Sequence, residues 1–220
     1  MRLMDNEVLT FCADDAHGAP IMMKADELGI EPTEFIDEIN KNHQKSLAKF
    51  GIEYTNYHST HSKENEALVS EIYLDAKSSG YIYKKEIEQC FDEEKQMFLA
   101  DRYVIGECPK CSAKEQYGDG CEECGATYSA TELINPKSSL SGSKPITKIS
   151  EHIFFDLEKA KDDLVNFLDN SSIQKPILGK LSEWIDGDLK SWDISRDAPY
   201  FGFQIPDETK KYFYVWVDAP

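Results

Sequence analysis

The spacing of apolar positions changes several times along the chain, and each change marks an element. Glu7 to Ala13, EVLTFCA, is mostly apolar and stops at Asp14-Asp15, which predicts a strand. PIMMKADELG predicts a helix closed by Gly29. In PTEFIDEINKNHQKSLAKFG, Pro32 suits a first helical turn, and Phe35, Ile39, Leu47 and Phe50 form one helical stripe before Gly51. IEYTNYHST predicts a short strand. Ser62 then caps a helix that carries Leu68, Val69, Ile72 and Tyr73 and ends near Gly80. Strand alternating with helix argues for a parallel sheet, whose ligands sit at the carboxyl ends of its strands. Asp14, Asp15 and His17 fall at such an end.

From Tyr81 to Asp156 the pattern turns aromatic and β-branched, interrupted by the loop PKSSLSGSKP. This predicts a small β-rich insertion. LEKAKDDLVNFLDN and KPILGKLSEWIDGDLKSW read as helical, and KKYFYVWVDAP as a returning strand. The expected organisation is a parallel-sheet domain at 1–80, an insertion over 81–210 with a helical part at about 156–192, and re-entry at 211–220.

Composition narrows the class. The 220 residues have ordinary apolar content, and no apolar run approaches the ~20 residues that span a bilayer. MRLMDNEVLTFC has no basic region followed by a long apolar core, so it does not read as a secretory signal. The expectation is a cytoplasmic protein without membrane attachment. Lys plus Arg number 24 against 41 Asp plus Glu, a net charge of −17. Clustered cations grip phosphates, so little nucleic-acid affinity is expected of this acidic chain.

Four of the six cysteines lie in CPKCSAKEQYGDGCEECG. Cys108, Cys111, Cys121 and Cys124 form two C-x-x-C pairs, a spacing that offers four thiolates to one tetrahedral centre. Gly106, Gly118, Gly120 and Gly125 surround them, as tight turns beside a metal require. A redox dithiol is the rival reading, but such motifs come singly and near a βαβ unit. One structural Zn²⁺ in a knuckle at 106–126 is expected. With four sulfurs the site is closed, so the metal would take no part in catalysis. Cys12 and Cys90 stand far off in sequence, and Cys12 reads as a small buried residue.

FCADDAHGAPI, the C-x-x-C-x9-C-x-x-C knuckle, WDISRDAPYFGF and YFYVWVDAP follow one another in that order. Together they resemble the methionyl-tRNA synthetases, a family of class I aminoacyl-tRNA synthetases, over essentially the whole chain. The resemblance implies an α/β fold: a Rossmann-type parallel sheet split by a connective-peptide insertion that carries the zinc knuckle. It implies methionine, ATP with Mg²⁺ and tRNA(Met) as partners of the complete enzyme, which makes methionyl-adenylate and passes the methionyl group to tRNA.

The resemblance also assigns residues. Asp15 matches the carboxylate that holds the substrate ammonium; helix capping is the plainer role for it. Arg196 matches an arginine near the substrate carboxylate, where a planar guanidinium suits an oxyanion; a buried ion pair is the plainer role. Trp216, Ala219 and Pro220 match a strand lining the thioether pocket, and Trp192 an aromatic beside it. Ordinary core packing is the alternative for either tryptophan. Asp14 reads as structural, and His17 as either a nucleotide contact or a hydrogen-bonded structural histidine.

The family's HIGH-type and KMSKS-type motifs are absent. HSTH at 58–61 lacks the glycine, and KSSLSGSK lacks the methionine and lies in the insertion. The expectation is an internal segment of a longer enzyme, with Met1 an internal or introduced start and no catalytic group of its own. A synthetase for another apolar amino acid and a non-catalytic zinc module are the competing readings.

Overall fold

The computed structural model describes residues 6–187 and 189–219. The chain forms two compact units, one made of residues up to Tyr73 together with those from Tyr200 onward, the other of Leu74–Pro199. Among the described residues no helix is long and apolar enough to cross a membrane.

The first unit begins with a crossover. Strand β1 (Phe11–Asp14) is followed by helices α1 (Ala19–Leu28) and α2 (Pro32–Lys49) and by strand β2 (Asn56–Ser59). β1 and β2 pair in parallel, with Phe11 opposite Asn56 and Asp14 opposite Ser59. β1 is thus shorter than the apolar run suggested. Gly29 ends α1 with φ 69°, a left-handed closure that glycine adopts without a Cβ penalty. Helix α3 (Lys63–Ser78) starts beside Ser62, whose hydroxyl accepts from the Asn65 amide at 3.3 Å. The unit boundary falls within α3.

The second unit is built on one long antiparallel ladder. Strand β3 (Ile82–Asp92) pairs with β8 (Ile146–Phe155) from Ile82–Phe155 through to Phe91–Ile146. β4 (Met97–Phe98) flanks β3, and β9 (Trp192–Asp193) flanks β8. The chain between β3 and β8 makes a second sheet, in which β5 (Val104–Glu107) lies between β6 (Gln116–Tyr117) and β7 (Ile134–Ser138). Helices α4 (Lys161–Asp169) and α5 (Lys175–Asp186) follow β8; α5 stops before Gly187, short of the run to Trp192 that the pattern suggested. Strand β10 (Ser195–Asp197) comes next.

The returning segment departs from expectation. Only Lys211–Phe213 is strand (β11), and Val215–Asp218 forms a single helical turn, α6. The Ala219 amide donates to the Val215 carbonyl, and the Val215 amide to the Tyr200 hydroxyl. YVWVD has strand-like composition, but a turn here carries Asp218 into the interior, where its side chain is fully buried. Phe213, also fully buried, packs edge-on to Tyr73 at 5.5 Å. Burying such a phenylalanine stabilises by roughly 1.5–3 kcal/mol.

Asp92 closes the β3 end of the ladder. Its carboxylate accepts from the Ser141 hydroxyl at 2.6 Å and from the Glu94 and Lys95 amides at 2.9 and 3.0 Å. Burial alone would raise this carboxyl; the Ser138 and Ser141 hydroxyls and the two amides outweigh it and hold the pKa at about 2. The folded value lies below the unfolded one, so the stabilisation is present above about pH 4 and is lost as pH falls toward 2. Asp92→Asn should lower the melting temperature at pH 7 and flatten its acid limb between pH 4 and 2. Parallel melting curves for the two proteins in that range would contradict this account.

Candidate metal centre and substrate-site residues

The four cysteines come together as their spacing predicts. Cys108 Sγ lies 3.8 Å from Cys124 Sγ, and Cys111 Sγ 3.6 Å from Cys121 Sγ. All four sulfurs lie within 4.8 Å of one another. A tetrahedron of Zn–S bonds near 2.3 Å has edges of about 3.8 Å, so the donor set fits that ion. The Lys110 and Cys111 amides point at Cys108 Sγ, and the Cys124 amide at Cys121 Sγ. Burial pushes the Cys108 thiol up, but the Cys111 and Lys110 amides outweigh it and bring the thiol down to about 7. Cys111 goes the other way: against its Ala113 backbone contact, burial and hydrogen bonds with Cys124, Cys121 and Cys108 push it up to about 12, so a bound ion would have to displace thiol protons.

The surrounding glycines serve different ends. Only Gly125 has a left-handed φ, 69°. Gly118 is required by close approach: a Cβ there would meet Ala130 Cβ and the Asp101 carbonyl at 2.6 Å. Non-glycine Ser112 and Glu115 take positive φ nearby, so the general expectation of glycine turns holds at one position only.

In the first unit, Asp14 and Asp15 at the end of β1 are treated differently. Asp14 accepts from the Tyr57 hydroxyl at 2.6 Å, Asn40 Nδ2 at 2.7 Å and His43 Nδ1 at 2.8 Å. Those contacts tie β1 to α2 and β2. Asp15 is solvent-exposed and next in sequence. Desolvation, then the negative Asp218, push its carboxyl above the usual aspartate value, with His17 opposing. A carboxylate beside another carboxylate is suited to an incoming cation.

His17 is fully buried. Its Nδ1 lies 3.0 Å from Asp218 Oδ2, and its Nε2 lies 2.8 Å from His61 Nδ1. Its ring meets Phe203 edge-on at 4.5 Å, while the His61 ring stacks on Phe203 at 5.7 Å. Burial, then the charge of His17, push His61 below the usual imidazole value. Of the two readings left open for His17, this geometry describes a hydrogen-bonded histidine joining the β1 end to α6. Trp216 lies on α6 and not on a strand, with 59% of its surface exposed, and Ala219 is half-buried. Pro220 lies outside the described residues.

In the second unit, Trp192 sits on β9 opposite Phe155. Arg196, on β10, donates to the Ser195 carbonyl at 2.6 Å and lies 3.7 Å from Asp193 Oδ2. Beneath it is a network that sequence reasoning missed. The buried His152 on β8 reaches Asp193 Oδ2 at 2.7 Å and Asp197 Oδ2 at 3.0 Å, one from each ring nitrogen. Its signal was faint: Ser150 and His152 occupy the inner face of β8, while Ile149 faces out.

Residues 1–220 match the family of class I tRNA synthetases (M). The chain belongs to that family. Solved structures agree on the fold. The synthetase resembles Mycobacterium tuberculosis methionyl-tRNA synthetase bound by methionyl-adenylate, with a TM-score of 0.67 and 16% identity, over 99% of this chain and 39% of that one. A second structure of the Mycobacterium tuberculosis enzyme in complex with methionyl-adenylate matches with the same TM-score and identity, over 38% of its length. The synthetase chain thus spans about 39% of the length of the structures it matches.

Titration of the reduced, metal-free synthetase chain with Co²⁺ should saturate at one ion, with the absorption of tetrahedral thiolate coordination. Cys111→Ser should abolish that saturation. Binding that survives in Cys111→Ser and disappears in Cys12→Ser or Cys90→Ser would contradict the assignment.

Proposed function

We propose that this chain carries part of the catalytic domain of a methionine–tRNA ligase. The complete enzyme would condense methionine with Mg²⁺-bound ATP to methionyl-adenylate, then pass the methionyl group to tRNA(Met) in the cytoplasm. The observation that carries the reading is the coincidence of the class I family match with the four ordered motifs, each at its expected place in the chain. The similar solved structures hold methionyl-adenylate, which supports methionine as the amino acid. On this reading residues 81–210 are the connective-peptide insertion, and one structural Zn²⁺ holds its knuckle through Cys108, Cys111, Cys121 and Cys124.

The chemistry asked of this chain is recognition. An ammonium needs a fixed anion, which Asp15 supplies at the end of β1. A carboxylate needs a cation with planar donors, which Arg196 supplies. A thioether favours aromatic edges, and the motif resemblance gives that part to Trp216 and to Trp192, with Ala219 and Pro220 matched in the same motif as Trp216. ATP-side groups act when adenylate forms, because phosphoryl chemistry depends on positioning and on cations that offset developing charge.

Amino-acid-dependent exchange of pyrophosphate into ATP, measured on the full-length protein with methionine, leucine, isoleucine, valine and cysteine, tests this. Methionine should give the highest kcat/KM. Asp15→Ala should reduce that value about ten- to a hundredfold, the cost of one charge-assisted hydrogen bond of about 1.5–3 kcal/mol. Preference for another amino acid would overturn the specificity, and an unchanged Asp15→Ala enzyme would overturn the role of Asp15.

A further inference from the structure

His152 is fully buried, and both of its ring nitrogens face acceptors. Nδ1 is 2.7 Å from Asp193 Oδ2; Nε2 is 3.0 Å from Asp197 Oδ2 and 3.0 Å from Gln89 Oε1. An ionised carboxylate can only accept, and a neutral imidazole can donate from one nitrogen only. Other donors already serve the two aspartates. Ser150 Oγ donates to Asp197 Oδ2 at 2.6 Å, and the Ser195 amide and hydroxyl donate to Asp193 Oδ1 at 3.1 and 3.3 Å. An unprotonated ring nitrogen would set its lone pair against the Asp193 or Asp197 oxygen at 2.7 or 3.0 Å, so two ionised aspartates at these distances call for both ring protons.

Charge counting agrees. The charged groups gathered here include His152 on β8, Asp193 on β9, Asp197 and Arg196 on β10, and Asp101, which feels both Arg196 and Asp193, with Gln89, Ser150 and Ser195 among the neutral partners. An imidazolium sets a second cation beside Arg196 among these three carboxylates. Buried charges persist when paired in this way, and removing one partner is strongly destabilising.

The two cations compete for one oxygen. His152 Nδ1 holds Asp193 Oδ2 at 2.7 Å, while Arg196 Nη1 stands at 3.7 Å from the same atom. We propose that His152 is a positioning residue for Arg196: as an imidazolium clamped between Asp193 and Asp197, it engages the Asp193 carboxylate and keeps the Arg196 guanidinium from closing on it. This rests on the reading that Arg196 meets the amino-acid carboxylate. A guanidinium drawn into a tight bidentate pair with Asp193 would present fewer donors to a substrate. His152 also joins β8 to β9 and β10, so the charge clamp and the backbone position of Arg196 depend on the same ring.

Two measurements test this. The first is the ¹⁵N spectrum of the His152 ring in the wild-type protein at neutral pH, assigned by its loss in His152→Gln. Both nitrogens should be protonated; a pyridine-type nitrogen would overturn the clamp. The second is activation kinetics on the full-length synthetase, with the five-amino-acid panel. His152→Gln should raise the amino-acid KM about tenfold or more while leaving the ATP KM near its wild-type value. Adding Asp193→Asn removes the carboxylate that captures Arg196, so the double variant should recover most of the amino-acid KM. A purely structural role for His152 predicts no recovery from a second buried change, and that result would overturn the proposal. Unchanged kinetics in Arg196→Ala would instead overturn the reading of Arg196, and the positioning role with it. If His152→Gln does not fold, the ring of the wild-type protein is assigned instead by through-bond correlation to its own backbone, and a pyridine-type nitrogen there still overturns the clamp.

Discussion

A carboxylate taken out of water must find a partner that repays its lost hydration, and a chain with a net charge of −17 meets this constraint repeatedly. Each unit solves it with a buried imidazole. In the first, His17 receives Oδ2 of Asp218 and fixes where α6 must turn, while Asp218 Oδ1 stays buried without a hydrogen-bond partner. In the second, His152 receives Asp193 and Asp197 and fixes the strands on either side of Arg196. Where no imidazole is at hand, Asp92 is satisfied by serine hydroxyls and backbone amides. Residues assigned to the substrate stand beside these pairings: Asp15 next to the His17–Asp218 pair, and Arg196 between two clamped aspartates. The same pairing that makes burial tolerable thus orients the groups to which the proposed recognition is given.

The metal knuckle follows a parallel logic with sulfur. The knuckle sheet has few buried apolar residues of its own, Val104 and Leu133 among them. Four thiolates converging on one ion can supply the cross-link that a small apolar core cannot. Gly118 lets the chain approach Ala130 closely enough for this packing.

Much of this was legible in the sequence, for identifiable reasons. The cysteine spacing announced the cluster, because two C-x-x-C pairs have few other uses. The crossover from β1 to β2 followed from helix stripes bounded by Gly29 and Gly51. The turn at α6 was not legible, because Tyr214, Val215, Trp216 and Val217 have strand composition, and only the tertiary pairing of Asp218 with His17 makes a helical turn preferable there. His152 was hidden for the opposite reason. Hydropathy puts Ile149 inside and Ser150 outside, and the structure reverses them to feed a polar network.

The central claim is that Asp15 receives the ammonium of an amino-acid substrate in a class I synthetase. A crystal structure of the full-length protein with a non-hydrolysable methionyl-adenylate analogue tests it most directly. The account predicts the methionyl nitrogen within about 3 Å of an Asp15 carboxylate oxygen, the reach of a charge-assisted hydrogen bond. A bound analogue whose nitrogen meets other groups, with Asp15 facing solvent, would contradict it.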